Sequence, residues 1–228
     1  HNETSTGVTS PVYRVEAPGA LTLVDGTSIA GAAPVDLTQV DAYYFSLQKA
    51  LGSDGGLWVA ILSPAAAQRA HRIEASPEGR WVPQFLSLTS AIDNSAKDQT
   101  LNTPALATIV MAERQVRWLL ERGGMEAVSA HCAQASSLIY DWAEANLAVH
   151  PFVDNPAWRS PVTATVEIDE AVSASELAAH LRARGIVDIG AYRGVGANQL
   201  RIGTWPSVEV EDVEALLACI DYCLERVL

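Results

Sequence analysis

The stretch Ala42-Tyr-Tyr-Phe-Ser-Leu-Gln-Lys-Ala-Leu-Gly-Ser-Asp-Gly-Gly-Leu-Trp-Val-Ala-Ile-Leu62 decides the fold. Its first part, Ala42 to Leu47, is aromatic and β-prone and ends on the polar pair Gln48-Lys49. Its last part, Leu57 to Leu62, is a short apolar run, and Gly52-Ser-Asp-Gly-Gly56 between them carries turn chemistry. Working upstream, Leu21-Thr-Leu-Val24 is a third short apolar run, closed by Asp25 and Gly26-Thr27-Ser28. Three short strands separated by turns predict the central sheet of an α/β unit, mostly parallel. In open α/β sheets ligands lie beyond the strand ends, so Asp25, Gln48 and Lys49 become candidate site residues.

Downstream, the pattern changes period. After Pro104, the residues Leu106, Ile109, Val110, Val116, Leu119 and Leu120 recur at helical spacing until Gly123-Gly124 stops them. A second helix carries apolar residues from Val128 to Trp142. Val162, Ala164, Val166 and Ile168 alternate with Thr163, Thr165 and Glu167, which predicts a half-buried strand. Ser173 and Glu176 match a capping box for a helix running to Gly185. Ile186 to Ile189 and Leu200 to Ile202 read as further strands. A last amphipathic helix presents Val213, Leu216, Leu217, Ile220, Leu224 and Val227. These elements divide the chain near Gly123, with residues 1–123 in an α/β unit and residues 124–228 in a smaller α+β unit.

Composition narrows the function. Apolar residues make up 49% of the chain and charged residues 18%, a globular balance. Fifteen Lys and Arg against 27 Asp and Glu leave a net charge of -12, which argues against a nucleic-acid face but not against a small anion held by a few arginines in a cleft. No stretch approaches the roughly eighteen apolar residues of a membrane helix. The three cysteines make no disulfide framework, so a reduced, cytoplasmic setting is expected. Cys219 and Cys223 lack partners for a metal set and read as packing. The polar opening residues, His1-Asn-Glu-Thr-Ser-Thr6, do not read as a secretory leader. They read instead as the middle of a motif, and a segment upstream of His1 is expected.

Asp25 after one strand, Gln48-Lys49 after the next, and Asn102-Thr103-Pro104 ahead of the long helix are each weak signals alone. Asp usually closes a turn, Lys is usually solvated, and Pro commonly starts a helix. Five segments set them in one frame: His1-Asn-Glu-Thr-Ser-Thr-Gly7, Val24-Asp-Gly-Thr-Ser28, Tyr43-Tyr-Phe-Ser-Leu-Gln-Lys49, Gln99-Thr-Leu-Asn-Thr-Pro104, and Tyr192-Arg193 with Asn198-Gln-Leu-Arg201. Together these resemble the phosphoserine aminotransferases, within the class-V, fold-type I pyridoxal-phosphate enzymes. Arg80-Trp-Val-Pro-Gln-Phe-Leu-Ser-Leu88 resembles the actinobacterial branch. The resemblance spans essentially all 228 residues in order.

That resemblance implies the later part of a fold-type I large domain followed by a small α+β domain, with pyridoxal 5'-phosphate as cofactor. It implies that Lys49 holds the cofactor aldehyde covalently and then moves the substrate α-proton. Asp25 would face the pyridine nitrogen, and Gln48 and Thr4 would hydrogen-bond the phenolic oxygen. Asn102 and Thr103 would reach the cofactor phosphate of a neighbouring subunit, in a homodimer with shared sites. Arg201 would grip the substrate α-carboxylate and Arg193 the distal phosphate or the glutamate side chain. Tyr192, where many relatives carry His, joins them as a substrate-side candidate. The implied reaction passes an amino group between L-glutamate and 3-phosphohydroxypyruvate, giving O-phospho-L-serine and 2-oxoglutarate in serine biosynthesis. The family's phosphate-cradling loop and the ring that stacks on the cofactor lie upstream of His1. Three alternatives stand beside this reading: another class-V aminotransferase of the alanine- or serine-glyoxylate type, a cysteine desulfurase, or a fragment that only folds or dimerises.

Overall fold

In a computed structural model, which describes residues 1–76, 78–192 and 198–226, three small sheets and six helices build the chain. A hairpin opens it, β1 (Asn2–Glu3) pairing antiparallel with β2 (Val8–Thr9). The second sheet runs β3 (Leu23–Asp25), β4 (Ala42–Ser46) and β5 (Trp58–Leu62). β3 and β4 are parallel, and β4 and β5 are antiparallel. The cause is the link between them. Residues 47–57 form a tight turn with no crossover helix, and a parallel return would need one.

Two helices that the periodicity misses follow β5. In α1 (Pro64–Glu74), Ser63 caps the N-terminus by accepting from the Ala66 N–H, and Pro64 takes the first helical position, where its missing N–H costs nothing. In α2 (Leu88–Ser95), Ser87 caps in the same way. The expected long helices are α3 (Leu106–Glu121) and α4 (Gly124–Ala145), divided by Gly123 and Gly124, both at positive φ. The apolar stripe of α3 is only partly used. Leu119 is buried, while Leu106 and Leu120 stand 65% and 67% exposed, because only one side of the helix meets α4.

The last sheet orders β6 (Val149–Pro151), β7 (Thr163–Ile168) and β8 (Gln199–Gly203), all antiparallel, with α5 (Ala174–Arg182) and α6 (Val210–Arg226) packed on it. Ser173 caps α5 as the sequence predicts, its hydroxyl accepting from the Glu176 N–H at 3.3 Å. Residues 186–189 form no strand. Asp188 adopts φ 62°, which breaks the extended run and leaves only a bridge from Gly190 to Leu200. Val227, expected on the buried face of α6, lies outside the described residues.

Helix α4 serves two cores. Val128 and Cys132 pack with Ile29, Leu47, Ala50, Leu51 and Leu119, whereas Ile139, Tyr140 and Ala143 pack with Leu177, Leu200 and Ile220. No helix among the described residues is long and apolar enough to cross a membrane.

The strand β7 departs from the half-buried expectation, since Thr163 and Thr165 are as buried as Val162 and Val166. The opening hairpin covers their face. Gly7 sits so close that a Cβ there would lie 2.7 Å from the Thr163 carbonyl oxygen, and its own carbonyl accepts from the Ser160 N–H at 2.9 Å. With φ at +73° as well, Gly7 is required twice over. Gly7→Ala in the full-length protein is expected to destabilise it by about 1–3 kcal/mol, read from the midpoint of urea unfolding. An unchanged midpoint would mean that the hairpin does not seal this seam.

Candidate active site

The site grows from the ends of β3 and β4. Asp25 closes β3, and its Oδ1 accepts from the Thr27 N–H at 2.8 Å, a local turn that leaves Oδ2 without a hydrogen bond among the described residues. Gly26 must be glycine: a Cβ there would lie 2.2 Å from Cζ of Tyr43, whose ring is buried against it. The Tyr43 hydroxyl meets Nδ1 of His1 at 3.1 Å, and the His1 main-chain nitrogen donates to the Asp25 carbonyl at 2.9 Å. Burial first, and the Asp25 charge second, push the Tyr43 phenol up to about 12, so it stays a neutral packing group at physiological pH.

Lys49 is presented by a burial pattern. Leu47, Ala50 and Leu51 go into the core, which turns Gln48 and Lys49 outward, Gln48 exposed and Lys49 half-buried. The turn is pinned by Gly52 N–H to the Lys49 carbonyl at 2.8 Å and by Ser53 N–H to the Leu47 carbonyl at 2.9 Å. No carboxylate among the described residues lies within ion-pair distance of the Lys49 ammonium. Glu3 feels both site charges. Its carboxyl is held below the usual range by hydrogen bonds from Ser5 and, less strongly, by Lys49, while Asp25 opposes the shift. Asp25, Lys49 and the opening hairpin with Thr4 thus come together.

The hairpin carries this cluster to the other sheet. The buried Thr4 offers its carbonyl oxygen to Nη1 of Arg201, on β8, at 3.1 Å. Nε of the same guanidinium is buried without a partner among the described residues, and Tyr192 lies against it, the guanidinium carbon 5.1 Å from the ring centroid. Arg193 lies outside the described residues. Asn102 and Thr103 are exposed ahead of α3, and no side-chain hydrogen bond ties them to the Lys49 cluster among the described residues. The sequence reading assigns no role to His1, Glu3 or Tyr43. The signal for Tyr43 was its neighbour Gly26, a glycine directly after the candidate carboxylate.

All three cysteines lie on helices rather than on a loop. Cys132 lies in α4 and the other two in α6, and burial pushes the Cys132 thiol up to about 12, away from the thiolate form a nucleophile needs.

The family model described as aminotransferase class-V matches residues 1–195. A protein of Mycolicibacterium vanbaalenii is 53% identical over 227 residues, covering 99% of this chain and 61% of the relative. The phosphoserine aminotransferase of Corynebacterium glutamicum is 48% identical over 226 residues, covering 99% and 60%. Among solved structures, a phosphoserine aminotransferase from Cytophaga hutchinsonii superposes with a TM-score of 0.88 at 23% identity, over 100% of this chain and 62% of its own. The chain thus spans about three-fifths of the length of the curated relatives it matches.

The fit of Gly26 against Tyr43 can be tested by a double-mutant cycle. Gly26→Ala is expected to cost about 1–3 kcal/mol through overpacking, and Tyr43→Val in the same chain to recover part of that loss. Chemical denaturation of the two single variants and the double variant measures the coupling; strictly additive losses would remove the close contact from the account.

Proposed function

The chain belongs to the class-V aminotransferases, and from that membership we propose that the whole protein is a phosphoserine aminotransferase, passing an amino group between L-glutamate and 3-phosphohydroxypyruvate to give O-phospho-L-serine and 2-oxoglutarate. Its cofactor is pyridoxal 5'-phosphate. The observation that supports the reading is geometric: Asp25 closes β3 and Lys49 follows the end of its parallel partner β4, the Asp25 Oδ2 without a hydrogen bond and the Lys49 ammonium without an ion pair among the described residues. That donor set fits the cofactor.

Bound there, the cofactor supplies an electron sink for the pair released when the substrate α-C–H bond breaks. Lys49 Nζ would hold the cofactor, and its free amine would take the substrate α-proton. The Asp25 carboxylate keeps a proton on the ring nitrogen by opposing charge. Gln48 and Thr4 donate to the phenolic oxygen. Arg201 pairs with the α-carboxylate, because a guanidinium matches it with two parallel hydrogen bonds, and Arg193 takes the distal phosphate. Asn102 and Thr103 reach the cofactor phosphate of a second copy, which makes the working form a homodimer with shared sites. Their exposure ahead of α3, beside the uncovered apolar side of that helix, supports this. We place the protein in the cytoplasm and in serine biosynthesis. The reading also divides the chain into the later part of a large domain, residues 1–123, and a small domain, residues 124–228, in keeping with the two cores that α4 joins.

Lys49→Ala in the full-length protein is expected to abolish turnover and the borohydride-reducible link to the cofactor. Peptide mapping should find that link on Lys49, and finding it on Lys97, the other lysine in the sequence, would refute the assignment. Arg193→Ala should weaken phosphorylated substrates more than alanine, whereas Arg201→Ala should weaken all of them alike, each by about 2–3 kcal/mol in kcat/KM. Equal losses for both variants across substrates would remove the case for phosphoserine.

Asn102→Ala with Thr103→Ala should lower cofactor affinity and loosen the dimer together. Equilibrium dialysis and sedimentation would measure both, and an unchanged cofactor affinity would rule out the shared site.

A further inference from the structure

Arg201 stands on β8 directly opposite Thr165 of β7. Its main-chain N–H is tied to the Ile189 carbonyl at 2.9 Å, and its Nη1 donates to the Thr4 carbonyl at 3.1 Å. A guanidinium can meet a carboxylate with two parallel N–H groups along its end, Nη1 with Nη2, or along its side, Nε with Nη2. Thr4 takes one of the two Nη1 hydrogens. Nε is buried and has no partner among the described residues. Nη2 makes no hydrogen bond among the described residues, so donors remain for a ligand.

One hydrogen bond to Nη1 fixes a point, not a plane. An arginine has several rotors, and a fork that swivels about Nη1 would present its remaining donors only part of the time. The second restraint is the Tyr192 ring, 5.1 Å from the guanidinium carbon. A ring face attracts a cation and favours a defined approach to it. The Tyr192 hydroxyl, by contrast, makes no hydrogen bond among the described residues, and the residue is 43% exposed. The contribution of Tyr192 is thus its ring.

We propose that Tyr192 is a positioning residue: its ring holds the Arg201 guanidinium so that its remaining N–H groups face the substrate α-carboxylate, and its hydroxyl does not read the phosphate. The proposal rests on Arg201 being the α-carboxylate partner, as set out above. It replaces the substrate-side role expected for Tyr192 with an indirect one. Because every amino donor presents the same carboxylate, the effect is blind to what the rest of the substrate carries.

The test uses the full-length enzyme loaded with pyridoxal phosphate and compares Tyr192→Phe, Tyr192→Leu and Tyr192→Ala with Arg201→Ala. KM and kcat are measured for L-glutamate, O-phosphoserine and L-alanine, and calorimetry follows binding of maleate, a dicarboxylate with no amine to react. Leu and Ala at position 192 should raise KM about tenfold for all three donors, lower kcat less, and weaken maleate in parallel. Phe should rescue KM to within about threefold of the native value, since it restores the ring. Leu restores bulk without a π face, so a Leu variant that behaves like native protein would overturn the proposal in favour of simple packing. A Phe variant that weakens O-phosphoserine alone would overturn it in favour of a phosphate-reading hydroxyl. If Arg201→Ala itself leaves KM and maleate binding unchanged, the carboxylate role of Arg201 falls first and this proposal with it. If Arg201→Ala is crippling while all three Tyr192 variants match native protein, only the positioning role fails.

Discussion

The backbone of Gly7 runs against β7 at a distance that admits no side chain, and that contact holds the opening hairpin between the two larger sheets. From this seat the hairpin reaches in both directions. His1 and Asn2 meet Asp25 and Ser28 at the end of β3, and Thr4 meets Arg201 on β8. Asp25 and Lys49 lie at strand ends of one sheet, and Arg201 stands on another. A short hairpin, rather than a large interface, sets their spacing. Its cost is visible in the same seam: Asn2 Oδ1, Thr163 Oγ1, Thr165 Oγ1 and Arg201 Nε are all buried without partners among the described residues. Buried polar atoms are expensive to leave unsatisfied, and their concentration here marks a place where ligand or ordered water belongs.

Much of the local structure was legible because its causes are local. The β4 run, the turn that follows it, the Ser173 cap of α5 and the Gly123-Gly124 break between α3 and α4 each follow from residues within a few positions of one another. What escaped was set by distant partners. Thr163 and Thr165 read as the solvent side of β7, and only the hairpin, some 150 residues earlier in the sequence, makes them interior. The apolar stripe of α3 reads as a buried face, yet most of it is uncovered in this chain. Residues 186–189 carry a β-prone composition that a single left-handed residue, Asp188, cancels.

The candidate site was legible in a different way. Asp25, Lys49, Thr4 and Arg201 are individually ordinary, and periodicity would never have gathered them; the ordered resemblance did. The structure adds the mechanical reasons they can stand where they do. Leu47, Ala50 and Leu51 turn Lys49 outward, and Gly26 makes room for the Tyr43 ring beside Asp25. Such supports leave faint traces in sequence, because a glycine that is needed for a close approach looks like a glycine that is needed for a turn.

The hydrogen bond from Arg201 to the Thr4 carbonyl joins residues 197 positions apart. Closing so long a loop is entropically costly, and contacts of this range form slowly and late. The two cores can gather around their own shorter-range contacts before the hairpin is seated. A newly made chain would therefore place Lys49, on a turn pinned within six residues of itself, well before Arg201 is fixed. The two sides of the candidate site would be set in place at different times during folding.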